Sequence, residues 1–359
     1  MSGAITNAGG NYSTLAEILI SSSNTSRSDL TTLEEQSASG YLAQTYGGLG
    51  AASQTVFDLS PQVSQINTWQ ANIDSATTNM SVTQTALTQI ASIAQTFYSD
   101  LPDINDTSSN GIDSVAANAK SALSEVASLL DTTNGGVYVF SGEDSANPPI
   151  SDPDAITSTG FYTQISSATS NLSSLGASGV MSAAITAASS DAAGTTPFSS
   201  YLSQTGQTAP TNVVIGEHQT VQTGLLANSN TLATSSGSDT TGSYMRDILM
   251  SLSVLSSLSS SQSTDAGLPA LVSGLQSSLG GAMSALSTEQ GVLGDSQTRL
   301  GTAATNYTDL STSLSGQISN VQDADLASVS TQLQSVQTQL TASYQLISNL
   351  KSLSLTNYL

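Results

Sequence analysis

Two stripes of apolar residues, spaced alternately three and four positions apart, run through opposite ends of the chain. The first takes Ile66, Trp69, Ile73, Ala76, Met80, Thr83, Leu87, Ile90, Ala94, Phe97 and Leu101; the second takes Leu326, Val329, Leu333, Val336, Leu340, Ser343, Ile347 and Leu350. That alternation places each set on one seam of a long helix. A helix of roughly 40 residues is about 60 Å long, too long for an ordinary globular core. Each seam therefore needs another long helix to cover it. The expectation is a rod closed by its own two ends, with the last helix lying on the first stripe.

The rest of the pattern fills in around these stripes. Leu30, Leu33 and Ala38 mark a short helix over about 28–42, and Gly47-Gly48-Leu49-Gly50 breaks it. A second helical run starts near Ala51, accepts Pro61 at a first turn or kink, and stops at Pro102. A polar connection leads to Ile112, Val115, Ala119, Ala122, Val126 and Leu129, so this half reads as a helical hairpin. Asn134-Gly135-Gly136 then signals a turn into a strand over Val137-Tyr138-Val139-Phe140-Ser141-Gly142, and Asn147-Pro148-Pro149-Ile150 ends it. Residues 151–243 carry no long heptad. Short strands are expected at 160–165 and 211–215 and a helix at 181–188, giving a small inserted domain of mixed α/β character. Helix returns at Tyr244 to Leu258, breaks around Gly267-Leu268-Pro269, and continues through Leu286, Leu293, Leu300, Tyr307, Leu310, Leu314, Ile318 and Val321. Asp323 and Asp325 interrupt it before the last stripe.

The expected fold is mainly α, with long antiparallel coiled-coil helices pairing the N- and C-terminal regions. Five parts follow: an N-terminal assembly segment, 1–50; the N-terminal half of the rod, 51–150; the inserted outer domain, 151–243; the C-terminal half of the rod, 244–325; and a C-terminal assembly helix, 326–359.

Composition narrows the function. Five Lys and Arg against 26 Asp and Glu leave a net charge of −21, a surface that repels phosphate backbones and anionic headgroups. Arg27, Lys120, Arg246, Arg299 and Lys351 are too scattered for a basic patch, so neither nucleic acid nor membrane insertion is expected. Only 9% of residues are charged, so packing along the seams, not surface ion pairs, has to hold the helices. No cysteine is present, which removes disulfides and thiolate metal sites. The first twenty residues lack a basic n-region, and the apolar run from Leu15 to Ile20 contains Glu17, so export without a cleaved signal peptide is expected.

Candidate chemistry is sparse. His218 is the only histidine, which excludes His-rich metal sites and paired-His catalysis. Asp152-Pro153-Asp154 lacks the glycine and glutamate of a helix-loop-helix calcium site and reads as a solvated turn. Asp323 and Asp325 sit where acids favour a helix start. No Gly-rich loop precedes a Lys. Neither an enzyme nor a cofactor is expected. Trp69, on the first stripe, reads as a core residue. The segment LSLTNYL, from Leu353 through Leu355 and Asn357 to Tyr358 and Leu359, is amphipathic and needs a cover, from neighbouring subunits or from its own helix.

Four segments resemble the flagellin family. They are Glu34-Glu35-Gln36-Ser37-Ala38-Ser39-Gly40, similar to the family's E-Q-x-S-(S/T)-G; Ala51-Ala52-Ser53-Gln54, similar to the start of its long helix; residues 135–150, GGVYVFSGEDSANPPI; and residues 347–359, ISNLKSLSLTNYL. The last two are most similar to the family's hook-filament junction branch. Between Tyr41 and Gly50 a Gly-rich turn stands where the family has a basic, Asn-Pro-rich connection. The resemblance implies a structural protein of the bacterial flagellum, exported by the flagellar type III route, working outside the cell as a homo-oligomeric ring or helical tube. Implied partners are flagellin, another hook-associated protein and an export chaperone. Implied subunit contacts are Leu333, Val336, Leu340, Ile347, Leu350, Leu353, Leu355, Tyr358 and Leu359. The filament subunit itself is the nearest alternative, and a secreted adhesin is the alternative of another class.

Overall fold

The computed structural model describes residues 6–104, 109–203, 209–229 and 233–352. Among these the chain is mainly helical: α1 (Thr6–Ser39), α2 (Ser53–Ile104), α3 (Ser109–Leu130), α4 (Gly160–Ser170), α5 (Leu172–Ser189), α6 (Tyr244–Ser256), α7 (Leu268–Gln322) and α8 (Leu326–Ser352). Two antiparallel hairpins complete it: β1 (Thr133–Asn134) with β2 (Val137–Tyr138), and β3 (Asn212–Gly216) with β4 (Gln219–Gln222). The chain divides into two compact units. One joins Met1–Asn67 to Asp309–Leu359, and the other is Thr68–Thr308.

In the Thr68–Thr308 unit the first stripe behaves as its period requires. Ile73, Ala76, Met80, Thr83, Leu87, Ile90, Ala94, Phe97 and Leu101 are all buried. The helix that runs along this stretch is α7, and this corrects the expectation that the last helix covers it. Gln70 Nε2 donates to Thr308 Oγ1 at 2.9 Å and Gln290 Nε2 donates to Thr88 Oγ1 at 3.3 Å, so eighteen residues forward on α2 is eighteen back on α7. The two are antiparallel. Trp69 is half-buried against Tyr307, their ring centroids 5.3 Å apart. With α2 some 52 residues long and therefore about 78 Å, the 55-residue α7 matches its length. The 27-residue α8 does not.

α3 turns back on α2, as Asn134 just beyond it reaches Asn79 at 2.6 Å. Its inward face is Ile112, Ala116, Ala119, Leu123, Val126 and Leu130, rotated slightly from the expected stripe, so Val115 and Leu129 are only half-buried. At the centre lies α6, packed on α3, α4 and α5, with every residue from Tyr244 to Leu255 buried. A helix buried all round must settle its own polar groups. Ser253 Oγ donates to the Leu249 carbonyl at 2.7 Å, and Asp247 accepts from Thr241 N and Thr241 Oγ1, both at 2.7 Å.

Residues 160–165, expected as a strand, are helical. Thr159 caps α4 by accepting from Tyr162 N at 3.3 Å, and Phe161, Ile165 and Ala168 fall on one buried face at helical spacing. The expected strand over 137–142 shortens to two residues. Gly135 (φ 59°) and Gly136 (φ 86°) supply the positive φ a two-residue turn demands, but Phe140 is then drawn fully into the core instead of continuing the ladder. β3 falls where a strand was expected, and 181–188 lie within α5. The buried residues of 151–243, among them Ile156, Phe161, Leu172, Val180 and Val221, join one continuous core with those of α2, α3, α6 and α7.

Candidate assembly surface

The other unit is built on α1 and α8, which pack against each other. α1 spans 34 residues, far more than the short helix expected at 28–42. Its inward positions explain the miss. Ser23, Ser26 and Leu33 are buried and Leu30 half-buried, spaced three and four apart, so half of this seam is serine and carries no apolar signal. On α8 the facing positions are Val329, Leu333, Val336, Leu340, Ser343 and Ile347, buried or half-buried in the same rhythm. Leu33, Ala324 and Val329 form a small core with Leu333 and Val336 packed on it. Further along, the Arg27 guanidinium lies 6.0 Å from the centroid of the Tyr344 ring, which sets the pair antiparallel.

Where α1 ends, the chain is clipped to the break between α7 and α8. Gly40 takes a φ of 76°, Leu42 N donates to the Gln322 carbonyl, and Ala324 N donates to the Gly40 carbonyl, each at 2.8 Å. Gln36 Nε2 donates to the Leu42 carbonyl at 2.9 Å. Asp325 starts α8 as a cap, its Oδ1 accepting from Ala327 N at 3.0 Å and from Ser328 N at 3.4 Å. Both chain interruptions therefore meet in one joint. A seven-residue 3₁₀ segment (Tyr46–Ala52), kinked within at Gly50 (φ 57°), then leads into α2. Just beyond, Ser311 Oγ donates to Asn67 Oδ1 at 3.4 Å, so α2 and α7 are still side by side.

This unit is where apolar surface goes uncovered. Of the thirteen large hydrophobic side chains exposed among the described residues, ten belong to it: Ile18, Ile20, Tyr41, Leu42, Tyr46, Phe57, Leu310, Leu326, Tyr344 and Leu346. Phe57 is 69% exposed and Ile18 66%. The unit holds about a third of the chain, so the enrichment is not a matter of size. Apolar residues gathered in this way mark an interaction surface.

Of the nine residues read from the sequence as subunit contacts, four have described side chains. Leu333 and Val336 lie against Leu33, Ala324 and Val329, within the chain's own seam. Leu340 and Ile347 continue it, half-buried. Leu350 is in α8 without a described side chain, and Leu353, Leu355, Tyr358 and Leu359 lie outside the described residues. The polar candidates do not converge. His218 is exposed in the turn between β3 and β4, and Asp152 Oδ1 accepts from Ala155 N at 3.2 Å in a simple turn. No three His, Asp or Glu side chains gather as metal ligands among the described residues.

Two long helical regions are brought side by side, and the unit built from their terminal parts holds most of the uncovered apolar surface among the described residues. Residues 11–145 match the family model of the bacterial flagellin N-terminal helical region, and residues 277–359 match that of the bacterial flagellin C-terminal helical region. The chain belongs to the bacterial flagellin family. Flagellins are non-enzymatic structural proteins that assemble into the extracellular flagellum, so the surface just described sits on a self-assembling subunit. The two matches leave residues 146–276 between them. That stretch holds α4 to α6 and the β3–β4 hairpin. A search of curated proteins returns no match to this flagellin-family chain.

Proposed function

We propose that this chain is the hook-filament junction subunit, the role of hook-associated protein 3, joining hook-side proteins to the flagellin filament. One observation carries the choice within the family. The run from Gly135 to Ile150 resembles the junction branch, and it is a built feature of the fold: Phe140 and Ile150 are fully buried, and Asp131 Oδ1 accepts from Ile150 N at 2.8 Å. The segment 353–359 supports the same choice by its sequence.

In this reading the α1–α8 pair and residues 353–359 supply the contacts between subunits in a ring or helical tube. Leu333, Val336, Leu340, Ile347 and Leu350 shape the seam that presents them. Flagellin meets one end, another hook-associated protein meets the other, and an export chaperone shields the segment before secretion by the type III route without a cleaved signal peptide. The filament subunit is the second reading, supported by family matches at both ends that the two kinds of protein share.

A strain lacking the gene separates them. Hooks without filaments, with monomeric flagellin leaking into the medium, are expected for the junction subunit. Hooks with neither filament nor leaked flagellin would make this chain the filament subunit instead, and unchanged motility would overturn both readings.

A further inference from the structure

We propose that the cleft bounded by α2, the β1–β2 hairpin with its exit loop, and the base of the β3–β4 hairpin binds a primary alkylammonium group. The cleft holds about 260 Å³, just under the range of sites that take drug-sized ligands, so it suits a group of a few carbon atoms. It lies wholly within the Thr68–Thr308 unit, away from the assembly surface.

Backbone bonds fix its walls. Tyr138 N donates to the Ser145 carbonyl at 2.9 Å, Glu143 N to the Ala209 carbonyl at 3.1 Å, and Thr223 N to the Thr211 carbonyl at 2.9 Å. Gly224 lets the last pair close up, since a Cβ there would stand 2.7 Å from Thr211 N. A site built in advance loses little ordering entropy when it is filled.

The hydroxyl protons decide the class of ligand. Thr83 Oγ1 donates to the Asn79 carbonyl at 2.9 Å, Thr211 Oγ1 to the Gly142 carbonyl at 2.9 Å, and Thr223 Oγ1 to the Thr211 carbonyl at 3.4 Å. With its proton committed, each of these oxygens is left as an acceptor. Glu143 adds a carboxylate that is exposed and makes no ion pair or side-chain hydrogen bond among the described residues. Asn79 Oδ1 is taken by Asn134, so Asn79 Nδ2 is the one fixed side-chain donor, while the Tyr138 and Ser145 hydroxyls can turn either way. No Lys, Arg or His lines the cleft among the described residues. Acceptors that include one anion, with no cation beside them, turn away an anionic ligand and match a group that brings three N–H donors and a single positive charge. Val137 and Val139 complete the lining, and methylene groups can lie along them while the charged end meets Glu143.

Calorimetric titration of the full-length protein with butylammonium tests this. One saturable site per chain is expected. Butan-1-ol, which lacks the charge, and tetramethylammonium, which lacks N–H donors, should each bind at least about tenfold more weakly. Glu143→Gln should weaken butylammonium about tenfold. Asp144→Asn makes the same charge change one residue away, at a carboxylate already held by Asn147 Nδ2 at 2.8 and 3.1 Å, and should weaken it less than about twofold. Valine methyl resonances place the site independently: those of Val137 and Val139 should shift on titration and that of Val214 should not. Nα-acetyl-lysine amide carries the same ammonium on a peptide backbone. Binding tighter than butylammonium assigns the cleft to a lysine of another protein, and weaker binding to a free amine. Equal weakening by the two variants would reduce the effect to a diffuse ion atmosphere, equal binding of butan-1-ol would make the ligand a neutral one, and the absence of saturable binding would leave no site. Any of these three overturns the proposal.

Discussion

Arg246 is one of five Lys and Arg residues in the chain and, among the described side chains, the cation taken furthest from water. Its side chain is about 8% exposed, with Nε on the Asn228 carbonyl and Nη1 on the Ala188 carbonyl, both at 2.7 Å, Nη2 on Asp191 Oδ1 at 2.5 Å, and the guanidinium 5.2 Å above the Phe198 ring. A planar fork of donors pins three stretches of chain to α6 at once. Removing it leaves two carbonyls without their donor, so Arg246→Met should destabilise the Thr68–Thr308 unit by about 3 kcal/mol. Asp191→Asn keeps an acceptor for Nη2 but leaves the buried guanidinium without its counter-ion, so it should cost about 1–2 kcal/mol, less than Arg246→Met because the Asn228 and Ala188 carbonyls keep their donors. Denaturant melts of the two variants check this ordering. Asp131 behaves in the opposite sense. Burial raises its pKa from 3.8 to about 6, partly offset by the Ile150 N–H. A carboxyl raised in the folded state binds more protons there than when unfolded, so its contribution to stability is greatest in acid and is lost as pH rises through 6. Asn keeps an acceptor for Ile150 N and removes the charge. Asp131→Asn should therefore gain about 1 kcal/mol at pH 7.5, with solvent screening allowed for, or roughly 2–4 °C in melting temperature, and almost nothing at pH 4.

At the scale of the element, the helices are built with hydroxyls where other proteins use charges. Thr25, Thr31, Thr32, Thr78, Thr85, Thr338 and Thr341 each donate to the carbonyl four residues back. The exposed faces thus satisfy themselves locally and add little long-range attraction. Stability has to come from the seams, and the seams are unequal. That of α2 is apolar at nearly every position, whereas α1 offers Ser23 and Ser26 and relies on Leu33. Leu33→Ala should cost about 2 kcal/mol. The cost should be local: hydrogen exchange should speed up in α1 and α8 together and stay unchanged in α3 and α6. This inequality also explains what could be read in advance. α2, α7 and α8 announced themselves through periodic Leu, Ile and Val, while α1 was seen only around Leu30 and Leu33 because serine at a seam position looks like surface. The helix over 160–165 was missed because Phe161 and Ile165, four apart, are few enough to suit either period until the Thr159 cap is seen.

The two units differ at the largest scale in core and in total charge. The Thr68–Thr308 unit carries 3 Lys and Arg against 18 Asp and Glu, and the other unit 2 against 8. The first has the large continuous core and the second a small one. Two calorimetric transitions are expected. The lower one belongs to the α1–α8 unit and moves down with Leu33→Ala, and the upper one responds to Arg246→Met. Added monovalent salt should raise the upper transition more, because self-repulsion is larger there. A single transition shifted equally by both variants would contradict this. Both units are acidic to nearly the same degree per residue; what separates them is that one holds most of the uncovered apolar side chains and the other the large continuous core.

The sequence by itself determined the mainly helical class, the long antiparallel helices, the break at Asp323–Asp325 and the flagellin resemblance. All of these rest on periodicity or on short local motifs, and local pattern survives without knowledge of neighbours. Only the tertiary structure decided which helix covers which: α7 lies along α2 and α1 on α8, because two seams of matching period say nothing of partner, and length and serine content settle it. The burial of Arg246, the raised pKa of Asp131 and the concentration of exposed apolar side chains in one unit were likewise decided there. Each depends on residues far apart in the chain meeting in space, and no window of sequence contains that meeting.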